Sequence, residues 1–384
     1  MLHRKVAIVG IGQAPGGKAT GYSSIELSAI AAREAMEDAG VGTKDVDGLI
    51  TSTSMSEPHH LYAVVLAEYL GVRPRLSGAL QLGGASFSAN VIRAAACVSA
   101  GLCHTVLITD ADNRLTQLRR ADKRSGDLAT MVYGIEQFEE AFGVAAPQRY
   151  ALVAQRHMHR YGTTGEQLAA IAVASRKHAV MAPGAQMQRP VSIADVLASP
   201  IVSSPLHKLD CCLVSDWGGA AIVTTAERAR DAKKAPIHLL GVGEAHRAFH
   251  LTQAGEITTS PAVLSGQQAF GMAGVSPLDI DLAELYDCFT ITVLVELEDL
   301  GFCQKGEGGH FVEGGRIELG GQLPVNTHGG MLSYNAGPVF HAVEAVRQLR
   351  GEAGDRQVED AALALVQGNA GILSDECTLI LARD

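Results

Sequence analysis

Short apolar runs separated by longer amphipathic stretches set the pattern of this chain. "KVAIVGIG", "DGLITSTS" and "HTVLITDAD" are apolar, β-branched and closed by turn residues, which predicts buried strands. Between them, "SSIELSAIAAREAMEDAG" repeats its apolar positions at helical spacing, with Ser23 and Glu26 as a capping box and Gly40 as the C-cap. "SANVIRAAACVSAG" predicts a second helix, alanine-rich enough to lie between other elements. The scheme returns later. "IDLAELYD" is a strand entering the helix "FTITVLVELEDLGF", "PVFHAVEAVRQLRG" is a helix, "AALALVQGNAG" a strand and turn, and "ECTLILA" a closing strand. Alternating strands and helices predict an α/β sheet covered on both faces, and the recurrence predicts a duplication. From Asn113 to Ser204 the pattern changes: a charged, turn-rich "LRRADKRSGD", an amphipathic "PQRYALVAQRHMHRYG" and a loop "MAPGAQMQRP" read as an insertion over the sheet. The expected division is 1–112 with 205–235, an inserted region 113–204, and 236–384. "LDCCLVSDWGGAAIVTTAERA" is expected to be a strand, a glycine turn and a second strand.

Composition narrows the class. The 384 residues are 47% hydrophobic and 19% charged, a globular balance with material for one large domain or two fused halves. A net charge of −10 without a basic block excludes a nucleic-acid footprint. No apolar run reaches the roughly 18 residues a membrane span needs, and the apolar part of "MLHRKVAIVGIGQ" is too short for a signal peptide. Seven cysteines without a CxxC pair fit a reduced cytoplasmic protein with no structural zinc or other metal. "VGIGQAPGG" is a near miss to GxGxxG, but too long a loop separates it from its helix for a dinucleotide turn.

Four longer segments, "PLHKLDCCLVSDWGGAAIVTTAERA", "ELYDCFTI", "NTHGGMLS" and "EAVRQLRGEAGDRQ", together resemble the thiolase superfamily in its sterol-carrier-protein-2-type branch, across nearly the whole chain. The resemblance implies the thiolase fold: two duplicated βαβαβαββ halves in a five-layer α-β-α-β-α arrangement. It also implies a homodimer and an acyl-CoA substrate, with no further cofactor. Members with thiolase chemistry carry a nucleophilic cysteine where a buried helix begins, because the helix N-terminus favours the thiolate. Here that turn reads "LGGAS", with Gly84 at or beside the position, and Cys97 lies three helical turns too far on. The family's Gly-His-Pro turn is missing from "SYNAGPVFHA", and its late cysteine is missing from "VQGNAG". The branch's His-Asp-Cys-Phe becomes Tyr286-Asp287-Cys288-Phe289, and Tyr334 stands beside the place of the missing histidine. Two phenols are thus expected where imidazoles usually act. The pattern resembles the thiolase-like aldolases of steroid side-chain degradation, which implies an OB-fold partner of the DUF35 type. It also implies a carbon–carbon lyase cleaving a β-hydroxyacyl-CoA and releasing propionyl-CoA.

A retro-aldol cleavage needs a base at the β-hydroxyl, donors around the thioester enolate and an acid to protonate it, but no acyl-enzyme. Tyr286 and Tyr334 are the acid–base candidates, in either order. Gly84 is expected to leave room for substrate, with backbone donors near Gly84 and Gly371 and the side chains of Asn326 and His328 around the enolate. His328 is alternatively a loop support. Asp287 orients its turn or, preferably, caps the helix from Phe289. Cys288 is an acid–base candidate or a packed thiol, and Cys211 and Cys212 are packing residues. His157 and His159 are expected at the surface; Arg119, Arg120, Lys123 and Arg124 are a solvated face or a seat for CoA phosphates. Two other functions remain: an acyltransferase using Cys288 or Ser86 as nucleophile, and a non-catalytic scaffold.

Overall fold

The apolar runs become strands, nine of the eleven in one mixed sheet, in a computed structural model that describes residues 4–18, 20–120, 139, 142 and 145–383. The strands are β1 Val6–Gln13, β2 Gly48–Ser52, β3 Leu76–Leu80, β4 Thr105–Asp112, β5 Ile201–Ser203 and β6 Leu206–His207. They continue with β7 Trp217–Thr225, β8 Ile237–His246, β9 Leu282–Leu285, β10 Leu363–Ala370 and β11 Asp375–Ala382. The helices are α1 Ser24–Ala39, α2 Tyr62–Leu70, α3 Ser86–Ser99, α4 Arg114–Arg120, α5 Ala146–Tyr161 and α6 Gly165–Met181. After these come α7 Ile193–Ala198, α8 Ala226–Ala229, α9 Ala262–Ala273, α10 Thr290–Asp299, α11 Gly308–Phe311 and α12 Val339–Arg350.

Nine strands pair in the order β3-β2-β4-β7-β1-β8-β11-β10-β9, with β5 and β6 as a separate small ribbon. The two halves join where β1 meets β8 through Ala7↔His238 and Ile8↔Ile237. Helices α1 and α2 cover one face of the first half. Helices α3 and α12 share a core with residues of both halves, including Phe87, Val91, Phe340 and Val343. On the far side of the second half lie α9 and α10, joined by α5 and α6. Taken by the two halves of the sheet, the layers run α1 and α2, first half, α3 and α12, second half, α9 and α10, and the central helices α3 and α12 are buried on most of their surface. Phe87 and Phe340, 2% and 1% exposed, each contribute about 1.5–3 kcal/mol by burial.

Local signals behave as the residues dictate. Ser23 and Glu26 form the reciprocal capping box, and Gly40 ends α1 in the left-handed region at φ 73°. Two expectations fail. "LDCCLVSDWGG" holds no strand before Trp217, and Gly218 and Gly219 lie inside β7. A Cβ at Gly218 would meet the Leu27 carbonyl and one at Gly219 the Val339 side chain, so these glycines serve close packing and not a turn. His157 is fully buried, bonded through Nδ1 to Thr163 and through Nε2 to Glu298 at 3.1 Å, while His159 is exposed. Arg119 and Arg120 end α4; Lys123 and Arg124 lie outside the described residues. No helix among the described residues is long and apolar enough to cross a membrane.

Candidate active site

Parallel pairing of β9 and β10 brings together two segments far apart in the chain. Leu285 pairs with Gln367, so Tyr286 leaves β9 beside the strand that ends at Ala370 and Gly371. Ligands of α/β sheets gather at such carboxyl ends of parallel strands. Helix α3 starts against the same end of β10. Its leading turn, Gly83–Ala85, stands so close that a Cβ on Gly83 would touch that of Ala370, 4.0 Å from the amide nitrogen of Gly371.

The missing nucleophile has been replaced in space by a phenol. A Cβ at Gly84 would overlap Cε2 and Cζ of Tyr286 and the carbonyl oxygen of Asn369. The expectation that Gly84 leaves room for substrate is therefore corrected: it leaves room for the Tyr286 ring. Gly83 is exposed, and Gly84, Tyr286 and Gly371 are half-buried, so the turn opens outward. No hydrogen bond among the described residues uses the N–H of Gly84 or Gly371. Gly371 sits at φ 61°, and the hydroxyl of Tyr150 donates to its carbonyl oxygen at 3.0 Å. The Gly371 N–H belongs to the preceding peptide, from Ala370, and that bond does not engage it. Tyr150 is a residue that sequence reasoning missed, because its helix belongs to the insertion and its partner lies 221 residues away.

Several groups around this turn are held neutral. Burial, followed by the nearby Cys288, drives the Tyr286 phenol well above its ordinary range. Burial likewise raises the Cys288 thiol well above its usual value, and it sits 3.4 Å from the Thr292 hydroxyl. A thiol so held is a poor nucleophile. Ser86 fares no better, since its hydroxyl donates to the Gly83 carbonyl at 2.7 Å and accepts from the Leu82 N–H. It caps the turn.

Three other expected site residues have different tasks. Asn326 was expected to hold the enolate. Its Oδ1 instead accepts from Leu285 N–H at 2.7 Å while its Nδ2 donates to the Leu285 carbonyl at 2.9 Å. Both ends of the amide are spent on fixing the end of β9. Asp287 caps no helix at Phe289, which has no side-chain cap. Its carboxylate accepts from Met331 and Leu332 N–H at 2.7 and 3.2 Å, and from His341 Nε2 at 3.0 Å. It therefore holds the single π-turn Gly330–Tyr334 on which Tyr334 rides. The second glycine of "NTHGG" follows from this closeness: Gly330 has φ 59°, and a Cβ there would overlap the Asp287 carboxylate, while one on Gly329, at φ 105°, would overlap Ala179. Asp287→Ala leaves two N–H groups and His341 without their buried partner, and is expected to cost about 3–5 kcal/mol, read as a fall in denaturant midpoint.

His328 is buried, 2% exposed. Its Nδ1 lies 3.0 Å from Glu284 Oε2, but off hydrogen-bonding geometry, and neither ring nitrogen has a hydrogen-bond partner. Burial and the neighbouring His341 push its pKa down to about 3. Glu284 accepts from Thr327 N–H and hydroxyl, both at 2.9 Å. Burial and the nearby Glu344 push its pKa up to about 8. A carboxyl raised in the folded state stabilises fully below its unfolded value of 4.5, and the contribution is lost as pH rises through about 8. Glu284→Gln keeps the Thr327 bonds and removes the titration. Denaturant melts across that window should show a pH slope reduced by up to about 1.4 kcal/mol per unit.

Tyr334 and Tyr286 were expected to face one pocket. Among the described residues no hydrogen bond or ring contact joins them. The Tyr334 hydroxyl accepts from Gln13 Nε2, and Gln13 Oε1 in turn accepts from Arg347 Nη2 at 3.2 Å. Tyr334 lines a cavity of about 840 Å³ shared with Gln13, Glu34, His328, Arg347 and Arg356. The two phenols are linked through a series of contacts: the Tyr334 ring to His328 at 5.1 Å, His328 to His341 at 5.2 Å, and His341 to Asp287, next to Tyr286.

Known proteins place this arrangement in a lineage. The family described as thiolase C-terminal domain-like matches residues 243–383. A steroid side-chain-cleaving aldolase of Thermomonospora curvata is 37% identical over 100% of this chain and 99% of its own. A 17-hydroxy-3-oxo-4-pregnene-20-carboxyl-CoA lyase of Mycobacterium tuberculosis is 36% identical over 91% of this chain and 93% of its own. An acetyl-CoA acetyltransferase of Methanothermobacter thermautotrophicus is 33% identical over 99% of this chain and 100% of its own. Among solved structures, the Ltp2-ChsH2(DUF35) aldolase superposes with a TM-score of 0.89 at 35% identity, covering 100% of this chain and 99% of that one. The chain belongs to the thiolase superfamily, in its sterol-carrier-protein-2-type branch.

Proposed function

We propose that this protein is a retro-aldolase that cleaves a β-hydroxyacyl-CoA, of the steroid side-chain kind, into a ketone and propionyl-CoA. The observation that carries the reading is the Tyr286 ring standing over Gly84, in the space a nucleophilic side chain would need. An acyltransferase working in the thiolase manner must form a covalent acyl-enzyme, whereas a retro-aldolase needs only acid, base and enolate donors. The neutral Cys288 and the tied Ser86 argue against the transferase.

In this reading the thioester oxygen sits on the free N–H groups of Gly84 and Gly371. A base removes the proton of the β-hydroxyl, the Cα–Cβ bond breaks, and its electron pair forms the enolate. The β-carbon becomes the carbonyl, and an acid then protonates the α-carbon. No co-reactant is consumed, and solvent exchange resets the two protons. Tyr286, held protonated by burial, is the acid. Tyr334 is the base, its oxygen positioned by the Gln13 side chain, which donates to it. Arg347 fixes the orientation of the Gln13 amide, so that its nitrogen faces the phenol. Gln13→Leu is expected to lower kcat by about tenfold or more. A kcat unchanged from the parent would remove Tyr334 from the role of base.

The partner is proposed to be an OB-fold protein of the DUF35 type, and the chain itself a homodimer. Strand β3 is an open sheet edge with Ser77 and Ala79 exposed, and an unpaired edge invites pairing. Beside it α2 and its cap expose Leu61, Val64 and Tyr69, at 62%, 52% and 50%. Val64→Asp is expected to give monomers by light scattering at concentrations where the parent is dimeric. The function itself is tested by supplying a tertiary β-hydroxyacyl-CoA to the chain with its partner and following ketone and propionyl-CoA by chromatography. Release of both supports it; bound but intact substrate contradicts it.

A further inference from the structure

Gly371 carries one of the two amides that would meet the thioester oxygen, and glycine by itself gives that amide no fixed direction, since it enters either sign of φ about equally well. The direction is imposed from outside. The peptide from Ala370 to Gly371 is trans and planar, so its carbonyl oxygen and the Gly371 N–H point opposite ways. The Ala370 oxygen accepts from Ser374 N–H at 3.0 Å, and the Ser374 hydroxyl lies 3.1 Å from it. The oxygen of the next peptide, that of Gly371 itself, accepts from the Tyr150 hydroxyl at 3.0 Å. Held at both carbonyls, Gly371 rests at φ 61° with its N–H unbonded among the described residues. A Cβ there would overlap Ser374 Oγ, so the turn admits glycine alone.

The two anchors differ in origin. Ser374 belongs to the same turn, whereas Tyr150 reaches in from α5, 221 residues earlier. Tyr150 is 2% exposed, and its ring lies 4.6 Å from that of Phe289, which fixes where the hydroxyl can reach. The hydroxyl has one proton and two acceptors, the Gly371 carbonyl at 3.0 Å and Asn369 Oδ1 at 3.3 Å, and the peptide is the nearer. Asn369 is itself tied: its Nδ2 donates to Glu376 Oε1 at 2.6 Å, and its carbonyl oxygen stands where a side chain on Gly84 would begin. Burial, followed by the nearby Cys288, keeps the Tyr150 phenol well above its ordinary range, so it remains a donor. That proton is engaged by the backbone and is not offered to substrate.

We propose that Tyr150 is a positioning residue for the cleavage: by holding the Gly371 carbonyl it keeps the Gly371 N–H aimed at the thioester oxygen. The inference rests on the retro-aldol reading, which sets the enolate on Gly84 and Gly371. It gives α5 a part in the reaction through a hydroxyl that does not itself meet the substrate. Negative charge gathers on the thioester oxygen only as the Cα–Cβ bond breaks. A misaimed donor is therefore felt in kcat and leaves KM in place.

Tyr150→Phe keeps the ring against Phe289 and removes the hydroxyl. In the chain with its DUF35-type partner, kcat for the β-hydroxyacyl-CoA is expected to fall by about tenfold to a hundredfold at unchanged KM. Infrared difference spectra of bound propionyl-CoA, isotope-labelled at its thioester carbon, read the donor directly, because a hydrogen bond lowers a carbonyl's stretching frequency. The band is expected at higher frequency in Tyr150→Phe than in the parent. Thr163→Val is the control for a loosened helix, since it removes a buried bond to His157 Nδ1, 2.8 Å long, at the other end of α5. It is expected to leave kcat and the band as in the parent. A Tyr150→Phe band equal to the parent's overturns the proposal whether or not kcat falls, because the hydroxyl then acts otherwise than on the donor. Equal changes in Thr163→Val overturn it too, because the effect then belongs to the packing of α5. A band that moves with Tyr150→Phe, in a chain that cleaves no β-hydroxyacyl-CoA, leaves the positioning standing and removes the retro-aldol reaction.

Discussion

Tyr286→Phe is expected to reduce cleavage of the β-hydroxyacyl-CoA by about 10²–10⁴-fold in kcat, with little change in KM or in stability. The phenyl ring keeps the packing over Gly84 and beside Asn369, so the fold and the two backbone donors stay in place. Only the proton source for the enolate is lost. A phenol raised by burial is a reluctant acid as well as a reluctant base. Its usefulness depends on the enolate being a stronger base still, which holds for a thioester enolate formed in a water-poor site. If kcat stays within a fewfold of the parent, Tyr286 is a packing ring and the acid must be sought elsewhere around the turn. If instead only KM changes, Tyr286 binds substrate without transferring its proton.

The second large effect is expected at Gly84. Gly84→Ala places a methyl group inside the Tyr286 ring and against a backbone carbonyl that has nowhere to go. Overpacking of this kind costs about 1–3 kcal/mol, and activity should fall at least as far as in Tyr286→Phe, because the ring and the Gly84 N–H move together. The two sites are in contact, so their effects are not additive. Gly84→Ala combined with Tyr286→Ala should be less destabilised than the sum of the two single losses, since the ring that the methyl overlaps is gone. The Asn369 carbonyl still crowds the methyl, so the relief is incomplete. Thermal melts of the four proteins measure this coupling. Purely additive losses would mean that the ring and the turn do not compete for one space.

The alternation of strand and helix, the capping of α1, the start of α3 and the convergence of Gly84, Tyr286 and Gly371 were all legible in the sequence, because each rests on local periodicity or on long family motifs. What remained hidden depends on partners far along the chain. Asp287 looked like a cap for the helix two residues on, yet its carboxylate serves amides 44 and 45 residues away. Asn326 resembled a free amide until strand pairing set it against the backbone of Leu285. Gln13 and Tyr334 lie 321 residues apart, and nothing in a β1 terminus announces a phenol as its neighbour. One missed signal was available. Thr292 and Glu296, four residues apart, share one face of α10, and the Cys288 thiol just before the helix meets the Thr292 hydroxyl at 3.4 Å. Glu296 is fully buried there.

The measurement that tests the central claim most directly is turnover of a tertiary β-hydroxyacyl-CoA in heavy water, by the chain with its DUF35-type partner. Mass spectrometry is then applied to both the products and the intact protein. The account predicts a ketone and an equal amount of propionyl-CoA carrying one solvent deuterium at the α-carbon, with the protein mass unchanged throughout. An acyl adduct on the protein, or propionyl-CoA free of deuterium, would contradict a thiolase fold in which Tyr286 has taken the place of the nucleophile.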